Sequence, residues 1–132
     1  MPEILVLYYS RDGAVHDMAK QIARGIESIQ DMRARLRTVP AVSDNLEQKQ
    51  QAVPDKGSPY VTLDDLDECV GLALGSPAYF GNMAAPLKYF FDSTTPIWIT
   101  GKLSGKPAAL FTASSTHHGG QESTLLNMMV PL

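Results

Sequence analysis

Apolar residues in this chain follow two short patterns that alternate along its length. The first is the continuous run Ile4 to Tyr9, whose β-branched and aromatic content predicts a buried strand. Apolar residues three and four positions apart come next and predict a helix that begins at about Ala14. This helical stripe comprises Val15, Met18, Ala19, Ile22, Ala23, Ile26 and Ile29. The chain therefore opens as strand, turn and helix.

The same alternation continues to the end of the sequence. Residues 31–39, 70–75 and 107–112 predict three further strands, and residues 62–66 predict a short capped helical turn. Asn82 is the candidate cap of another helix, with Pro86 in its first turn and a stripe of Leu87, Phe90 and Phe91. A last helix begins near Gln121. Strands that alternate with helices predict the α/β class, with a parallel sheet in three layers.

Two segments lack an apolar period. Residues 40–59 are rich in Gln, Asp, Lys, Ser and Pro and predict a long solvated connection. Residues 94–105 predict a second irregular stretch, which carries Trp98. Loops this long inside a compact domain are usually functional or mobile.

Composition limits the class of protein. The 132 residues are 44% hydrophobic and 19% charged, which indicates one globular domain over residues 1–132. A net charge of −3 and the lack of a basic cluster argue against nucleic-acid binding. Arg33, Arg35 and Arg37 alternate with less polar residues, and this favours an edge strand with one charged face over a phosphate-binding patch.

The sequence also indicates the compartment of the protein and whether it holds a metal. No apolar segment is long enough to cross a bilayer and no signal-peptide pattern is present, so we expect a cytoplasmic protein without membrane insertion. The single Cys69 cannot form an internal disulfide and has no metal-ligand spacing, so we expect a small apolar filler and no metal.

The turn after the first strand is the first candidate site. Ser10 to Val15 combines a hydroxyl, a glycine and a helix start, an arrangement that suits an anion such as a phosphate. An alternative is that Ser10 is a simple N-cap and Gly13 a turn residue, with nothing bound. Neither GxGxxG nor GxxxxGK[ST] occurs, so dinucleotide-binding and nucleotide-triphosphatase classes lose their main support.

Two more loops follow strands and carry distinctive residues. In parallel sheets, ligands bind beyond the carboxyl ends of the strands, so we expect these loops to converge on the first one. Tyr79 and Phe80 could stack on a planar heterocycle, although ordinary core packing is the alternative for each. The loop after the fourth strand is small and hydroxyl-rich. A phosphate site beside a flat-ring site favours flavin mononucleotide (FMN), since no carboxylate cluster could hold the magnesium of a nucleoside triphosphate.

Four stretches of the sequence resemble the WrbA-type flavodoxin-like NAD(P)H:quinone oxidoreductases. They are residues 7–10 (LYYS), 75–83 (GSPAYFGNM), 97–98 (IW) and 118–122 (HGGQE). The resemblance covers the chain from Ile4 to its last residue. It implies a flavodoxin-like sheet of order 2-1-3-4-5, FMN as cofactor, and two-electron transfer from NADH or NADPH to a quinone. A homotetramer is the assembly that the resemblance implies.

The resemblance also assigns site residues. The cofactor-binding set that it implies is Ser10, Arg11, Asp12, Gly13, Ala14, Val15, Pro77, Ala78, Tyr79, Phe80, Ser114, Ser115, Thr116, His117, His118 and Gly119. The first six would hold the phosphate, Ala78 to Phe80 would line the isoalloxazine, and the last six would wrap its other edge and the ribityl chain. Trp98, together with Asp12, would border the pocket for nicotinamide and quinone.

The chain departs from the family pattern in two places. Asp12 stands where many relatives have an aromatic residue, and an acid beside a phosphate is unfavourable unless it points away or caps the helix. The sequence ends at Leu132, whereas the family continues through a fifth strand, a final helix and a histidine near the flavin. We therefore expect a flavodoxin-like domain that is incomplete at its C-terminal end.

The resemblance predicts hydride transfer from nicotinamide to flavin N5 and then to the quinone, in ping-pong order because one pocket serves both substrates. The cofactor carries this chemistry, so no side chain is required as an acid or base. His117 or His118 could donate to a flavin carbonyl or relay a proton, with solvent exposure as the alternative. Two other functions stay open: a one-electron flavodoxin-type carrier and a cofactor-free interaction domain.

Overall fold

The computed structural model describes residues 1–43, 54 and 57–132. Its elements in chain order are β1 (Glu3–Tyr8), α1 (Ala14–Glu27), β2 (Arg33–Thr38), α2 (Leu63–Glu68), β3 (Gly71–Pro77), α3 (Ala85–Asp92), α4 (Thr95–Ile99), β4 (Ala108–Ala113) and α5 (Gln121–Met129). Across the described ranges, no helix is both long enough and apolar enough to cross a membrane.

The four strands form one parallel sheet in the order β2-β1-β3-β4. This order confirms the flavodoxin-like arrangement predicted for the first four strands. Because all strands run the same way, β1, β3 and β4 end at one edge, which we call the carboxyl edge. The loops that follow Tyr8, Pro77 and Ala113 therefore leave the sheet side by side.

The sheet is the middle of three layers. Alternate residues of β1 point to opposite faces, as the period of a strand requires. Val6 and Tyr8 pack with α1 in one buried cluster, whereas Leu5 and Leu7 belong to a second cluster. Helices α2 to α5 cover that second face with Leu66, Leu87, Phe91, Ile97 and Met128.

The edge strand β2 is held by ion pairs with α2. Arg35 contacts Glu3, Asp65 at 3.1 Å and Glu68 at 2.8 Å, and Arg37 contacts Asp65 at 3.2 Å. These contacts raise the pKa of the Arg35 guanidinium, with Glu3 the largest cause, and Arg35 in turn lowers the pKa of the Glu3 carboxyl. The arginines do mark an edge strand, but Arg35 and Arg37 are paired with acids, and Arg33 is the exposed member.

Helix α2 begins with a complete capping box. The Thr62 hydroxyl accepts from the Asp65 N–H at 3.4 Å, while the Asp65 carboxylate accepts from the Thr62 N–H at 2.8 Å. The helix leads to Cys69, whose thiol is buried and donates to the Leu66 carbonyl at 3.4 Å. Burial raises the pKa of this thiol, which fits the predicted role of a small core residue.

Three local predictions need correction. Helix α1 ends at Glu27, so Ile29 lies outside it and is exposed. Asn82 does not cap α3, because that helix starts later with Ala84 as its N-cap residue. The stretch predicted to be irregular around Trp98 contains the short helix α4. Most of the predicted long connection, residues 44–53, 55 and 56, lies outside the described residues.

Candidate functional site

The loop after β1 presents the start of α1 to the carboxyl edge. Gly13 is the N-cap residue, with a φ of 97°, and no side chain of the described residues caps the helix. The Gly13 N–H donates to the Ser10 hydroxyl at 3.0 Å, and this hydrogen bond closes the turn from Ser10 to Gly13 before the helix begins. A Cβ on Gly13 would meet nothing within 4 Å, so the space beside the helix start is open. Uncapped N–H groups facing open space suit an anion.

The loop after β3 is a tight turn between Tyr79 and Asn82. The Tyr79 N–H donates to the Asn82 carbonyl at 2.9 Å, and the Asn82 N–H donates back at 3.0 Å. The two residues between them have positive φ, 52° at Phe80 and 71° at Gly81. Since left-handed backbone is unfavourable for a side chain such as Phe80, the rest of the turn must hold it. The result is a fully exposed Phe80 ring.

Helix α5 anchors this turn. The Gly81 carbonyl accepts from the Ser123 hydroxyl at 2.9 Å and from the Asn127 amide at 3.2 Å. A Cβ on Gly120 would lie 2.7 Å from the Gly81 Cα, so the two backbones touch where both residues are glycine. The Ala78 N–H adds a bond to the Ala113 carbonyl at 3.0 Å. The second and third loops therefore form one connected structure.

The loop after β4 folds back on Gln121. The Gln121 side chain accepts from the Gly119 N–H and donates to the Thr116 carbonyl, each at 2.9 Å. A Cβ on Gly119 would lie 1.9 Å from the Ser114 hydroxyl oxygen, so only glycine fits there. Ser115, Thr116, His117 and His118 are exposed around this fold. The loop thus offers a compact rim of hydroxyl and imidazole groups.

Two tyrosines follow the ends of β1 and β3. The Tyr79 hydroxyl oxygen is buried, yet no hydrogen-bond partner for it exists among the described residues. Burial raises the pKa of the Tyr9 phenol, and Tyr79 and Asp12 raise it further while Arg11 lowers it. The Tyr9 ring packs against the buried cluster that contains Leu5 and Leu7, on the face of the sheet opposite α1. An unpaired buried hydroxyl costs about 1–3 kcal/mol and marks a place for another polar group.

The two charged residues of the first loop, Arg11 and Asp12, are exposed. Asp12 does not cap α1, so no capping hydrogen bond offsets the cost of placing this acid beside a phosphate. Within the ranges that the structure describes, Arg11 makes no ion pair. The site consequently has a helix start and neutral donors rather than a buried cation.

Trp98 lies apart from the three loops in this chain. It is 79% exposed on α4, which packs against α2, the helix just before β3 begins. It borders a small cavity with Phe91 and Asp92 at the end of α3 and with Pro131 after α5. Trp98 thus sits towards the amino-terminal edge of the sheet. Its placement beside nicotinamide and quinone stays a prediction.

Three residues at the carboxyl edge had no role predicted from the sequence: Tyr9, Ser123 and Asn127. Tyr9 was part of a recognisable sequence stretch, but the bond from its N–H to the Gly75 carbonyl depends on strand pairing between β1 and β3. Ser123 and Asn127 hold the Gly81 carbonyl from 42 and 46 residues away. The closely spaced pair of glycines at 119 and 120 was the one sequence signal for this packing.

A flavodoxin-like α/β protein is the class that this fold and these loops define. The family description "NADPH-dependent FMN reductase" matches residues 4–129, and the chain belongs to that family.

Similar proteins agree with this membership. The chain is 41% identical over 128 residues to an NAD(P)H dehydrogenase (quinone) from Geobacter sulfurreducens, covering 93% of this chain and 63% of that protein. It is 40% identical over 131 residues to the quinone-oxidoreductase QR2 of Triphysaria versicolor, covering 98% and 64%. The chain therefore spans slightly less than two thirds of the length of these relatives.

A solved structure supports the fold. The crystal structure of a flavodoxin, WrbA-like protein from Agrobacterium tumefaciens superposes with a TM-score of 0.74 at 23% identity. The match covers 99% of this chain and 71% of that one. This likeness confirms the flavodoxin-like arrangement.

Proposed function

We propose that this chain holds FMN and serves the two-electron reduction of quinones by NADH or NADPH. The observation that carries the proposal is the meeting of three loops at the carboxyl edge, around a helix start that no side chain caps. The quinone-reductase names of the two relatives described above support the choice of substrate.

The described residues fit the cofactor at each end. The turn from Ser10 to Val15 would hold the phosphate through backbone N–H groups, with open space at Gly13. The turn from Ala78 to Phe80 would line the isoalloxazine, since Phe80 presents its ring to solvent on a fixed backbone. Residues 114–119 would wrap the remaining edge, where the hydroxyls of Ser115 and Thr116 are exposed.

Bound FMN supplies hydride acceptance at N5 and hydride donation to a quinone. The protein's part is to position it. The Ser123 and Asn127 bonds to the Gly81 carbonyl keep the turn that carries Phe80 fixed against α5. His117 and His118 are exposed on the third loop, from which either can donate to a carbonyl or carry a proton to the quinol oxygen.

The cofactor part of the proposal is tested by mixing the purified protein with FMN and following flavin absorbance and fluorescence. Binding with a stoichiometry of one is expected, and a protein that stays colourless and leaves FMN fluorescence unchanged would contradict the proposal.

With NADH or NADPH and benzoquinone, we expect parallel double-reciprocal lines, because one pocket admits the two substrates in turn. Intersecting lines would rule out the ping-pong order.

We also propose an oligomeric state and a cellular compartment for this protein. Exposed apolar residues on α4 and α5, among them Trp98, Ile99 and Leu126, would be covered in a homotetramer. Light scattering on a sizing column is expected to give four times the chain mass, and a monomer at micromolar concentration would contradict this. A cytoplasmic location is the compartment that we propose for such an enzyme.

A further inference from the structure

The first turns of α5 hold two of the three loops at the carboxyl edge. Ser123 and Asn127 donate to the Gly81 carbonyl of the second loop. Gln121, the first residue of the same helix, reaches into the third loop instead. Its side chain therefore joins a helix that packs on β4 to the loop that leaves that strand.

Both ends of the Gln121 amide are used inside the third loop. The side-chain oxygen accepts from the Gly119 N–H, and the side-chain nitrogen donates to the Thr116 carbonyl, each at 2.9 Å. Residues 114–119 lie between β4 and α5, outside regular strand or helix. The Gln121 amide therefore supplies to this loop the kind of paired hydrogen bonds that a strand neighbour would supply within the sheet.

This arrangement leaves hydrogen-bond donors of the loop unused. Among the described residues, nothing accepts from the backbone N–H groups of Ser115, His117 and His118. All three residues are exposed, so a ligand can reach them. A row of free N–H groups matches a ligand edge made of acceptor atoms, and a flat heterocycle with carbonyl oxygens along one edge has this chemistry. The isoalloxazine of the proposed cofactor is such a ring.

We propose that Gln121 is a positioning residue for the flavin ring, because it fixes the third loop in the shape that presents free N–H groups to the ring carbonyls. Gln121 acts through the backbone of Thr116 and Gly119, not by touching the ring. This inference rests on the proposed FMN function and assigns a residue outside the proposed cofactor-binding set. Since the phosphate belongs to the turn at Ser10–Gly13, loss of the Gln121 amide should weaken ring binding and leave phosphate binding intact.

The test compares FMN with riboflavin on Gln121→Met, which keeps the length of the side chain and removes both hydrogen bonds. Titration by flavin fluorescence is expected to show both affinities lowered about tenfold, because the loop loses the two bonds that shape it. The ratio of the two affinities should stay within about twofold, since the phosphate contacts are unchanged. The matched control is Gln21→Met at an exposed position on α1, which should change neither affinity.

Two further readouts distinguish positioning of the ring from a general loss of structure. In the flavin-free protein, hydrogen exchange of the Gly119 amide should be faster in Gln121→Met, while exchange of the Leu74 amide in the buried strand β3 stays the same. The visible absorption bands of FMN bound to the variant should move towards those of free FMN, because the ring carbonyls lose their donors.

Three results would overturn the inference: unchanged flavin affinities, a loss confined to FMN, or Gly119 exchange that is equal in the two proteins. A lowered thermal midpoint with unchanged affinities would show a structural role alone and would overturn it as well. If the unsubstituted protein binds neither FMN nor riboflavin, the proposed function fails together with this inference. If it binds both and Gln121→Met binds them equally well, only this inference fails.

Discussion

Two polar regions of the molecule differ in how their buried groups are satisfied. Between β2 and α2, Asp65 is 5% exposed, and its carboxylate accepts from Thr62, Arg35 and Arg37. At the carboxyl edge, the Tyr79 hydroxyl is buried with no partner among the described residues. The first region is complete within the chain, whereas the second leaves donors unused.

The contrast extends to the backbone. The ion-pair region sits on regular strand and helix, with a capping box at Thr62. The carboxyl edge holds positive φ angles at Gly13, Phe80, Gly81 and Gly120. Strained backbone and unpaired donors cost stability, and proteins retain them where a ligand is bound. The first region therefore stabilises the fold, and the second region is built for binding.

The largest expected effect is a loss in the free energy of unfolding when the ion pairs between β2 and α2 are broken. Asp65→Ala removes the capping box and leaves Arg35 and Arg37 without their shared partner, so we expect the free energy of unfolding to fall by about 3 kcal/mol. Urea denaturation measures it. The control Asp67→Ala removes only an exposed pair with Lys102 and should cost less than about 1 kcal/mol. Equal losses in the two variants would contradict the contrast.

A smaller effect is expected where α5 meets the second loop. Gly120→Ala places a Cβ 2.7 Å from the Gly81 Cα at a φ of 84°, so the turn and helix must separate. We expect a loss of about 2 kcal/mol and weaker FMN binding. The control Gly105→Ala has a similar φ of 80° but meets nothing within 4 Å. It should cost about 1 kcal/mol and spare flavin binding.

Asp12→Asn addresses the unfavourable charge at the carboxyl edge. Removing an exposed acid beside the proposed phosphate site should strengthen FMN binding about threefold at low salt. Because salt screens exposed charges, the gain should vanish near 0.5 M salt, which flavin fluorescence titrations at two salt concentrations would show. Weaker binding in the variant would mean that Asp12 supports the turn.

The smallest effect concerns acid stability at β2. Arg35 lowers the pKa of Glu3 in the folded protein, so the stabilisation is present above about pH 4.5 and is lost as pH falls below it. Glu3→Gln should therefore flatten the decline in stability between about pH 5 and pH 3, as measured by urea midpoints. An unchanged slope would show that Glu3 does not contribute to it.

Much of the fold could be predicted from local patterns. The apolar run before Ser10 and the spacing after Ala14 are short-range signals, so the positions of β1 and the start of α1 agree with expectation to within one residue. Element ends were harder. Ile29 continues the apolar spacing of α1, but Ser28 ends that helix. Helix α4 was missed because its five residues show no helical period.

The sequence by itself determined the alternation of strands and helices, the family, and which three loops follow strands. Those properties depend on neighbours in the chain and on short recognisable stretches. Only the tertiary structure decided that the Tyr79 hydroxyl is buried without a partner among the described residues and that Ser123 and Asn127 hold the Gly81 carbonyl. It also decided that Trp98 is exposed on α4, which packs against α2. The physical reason is that burial and unpaired donors arise from contacts between distant residues, which no local pattern contains.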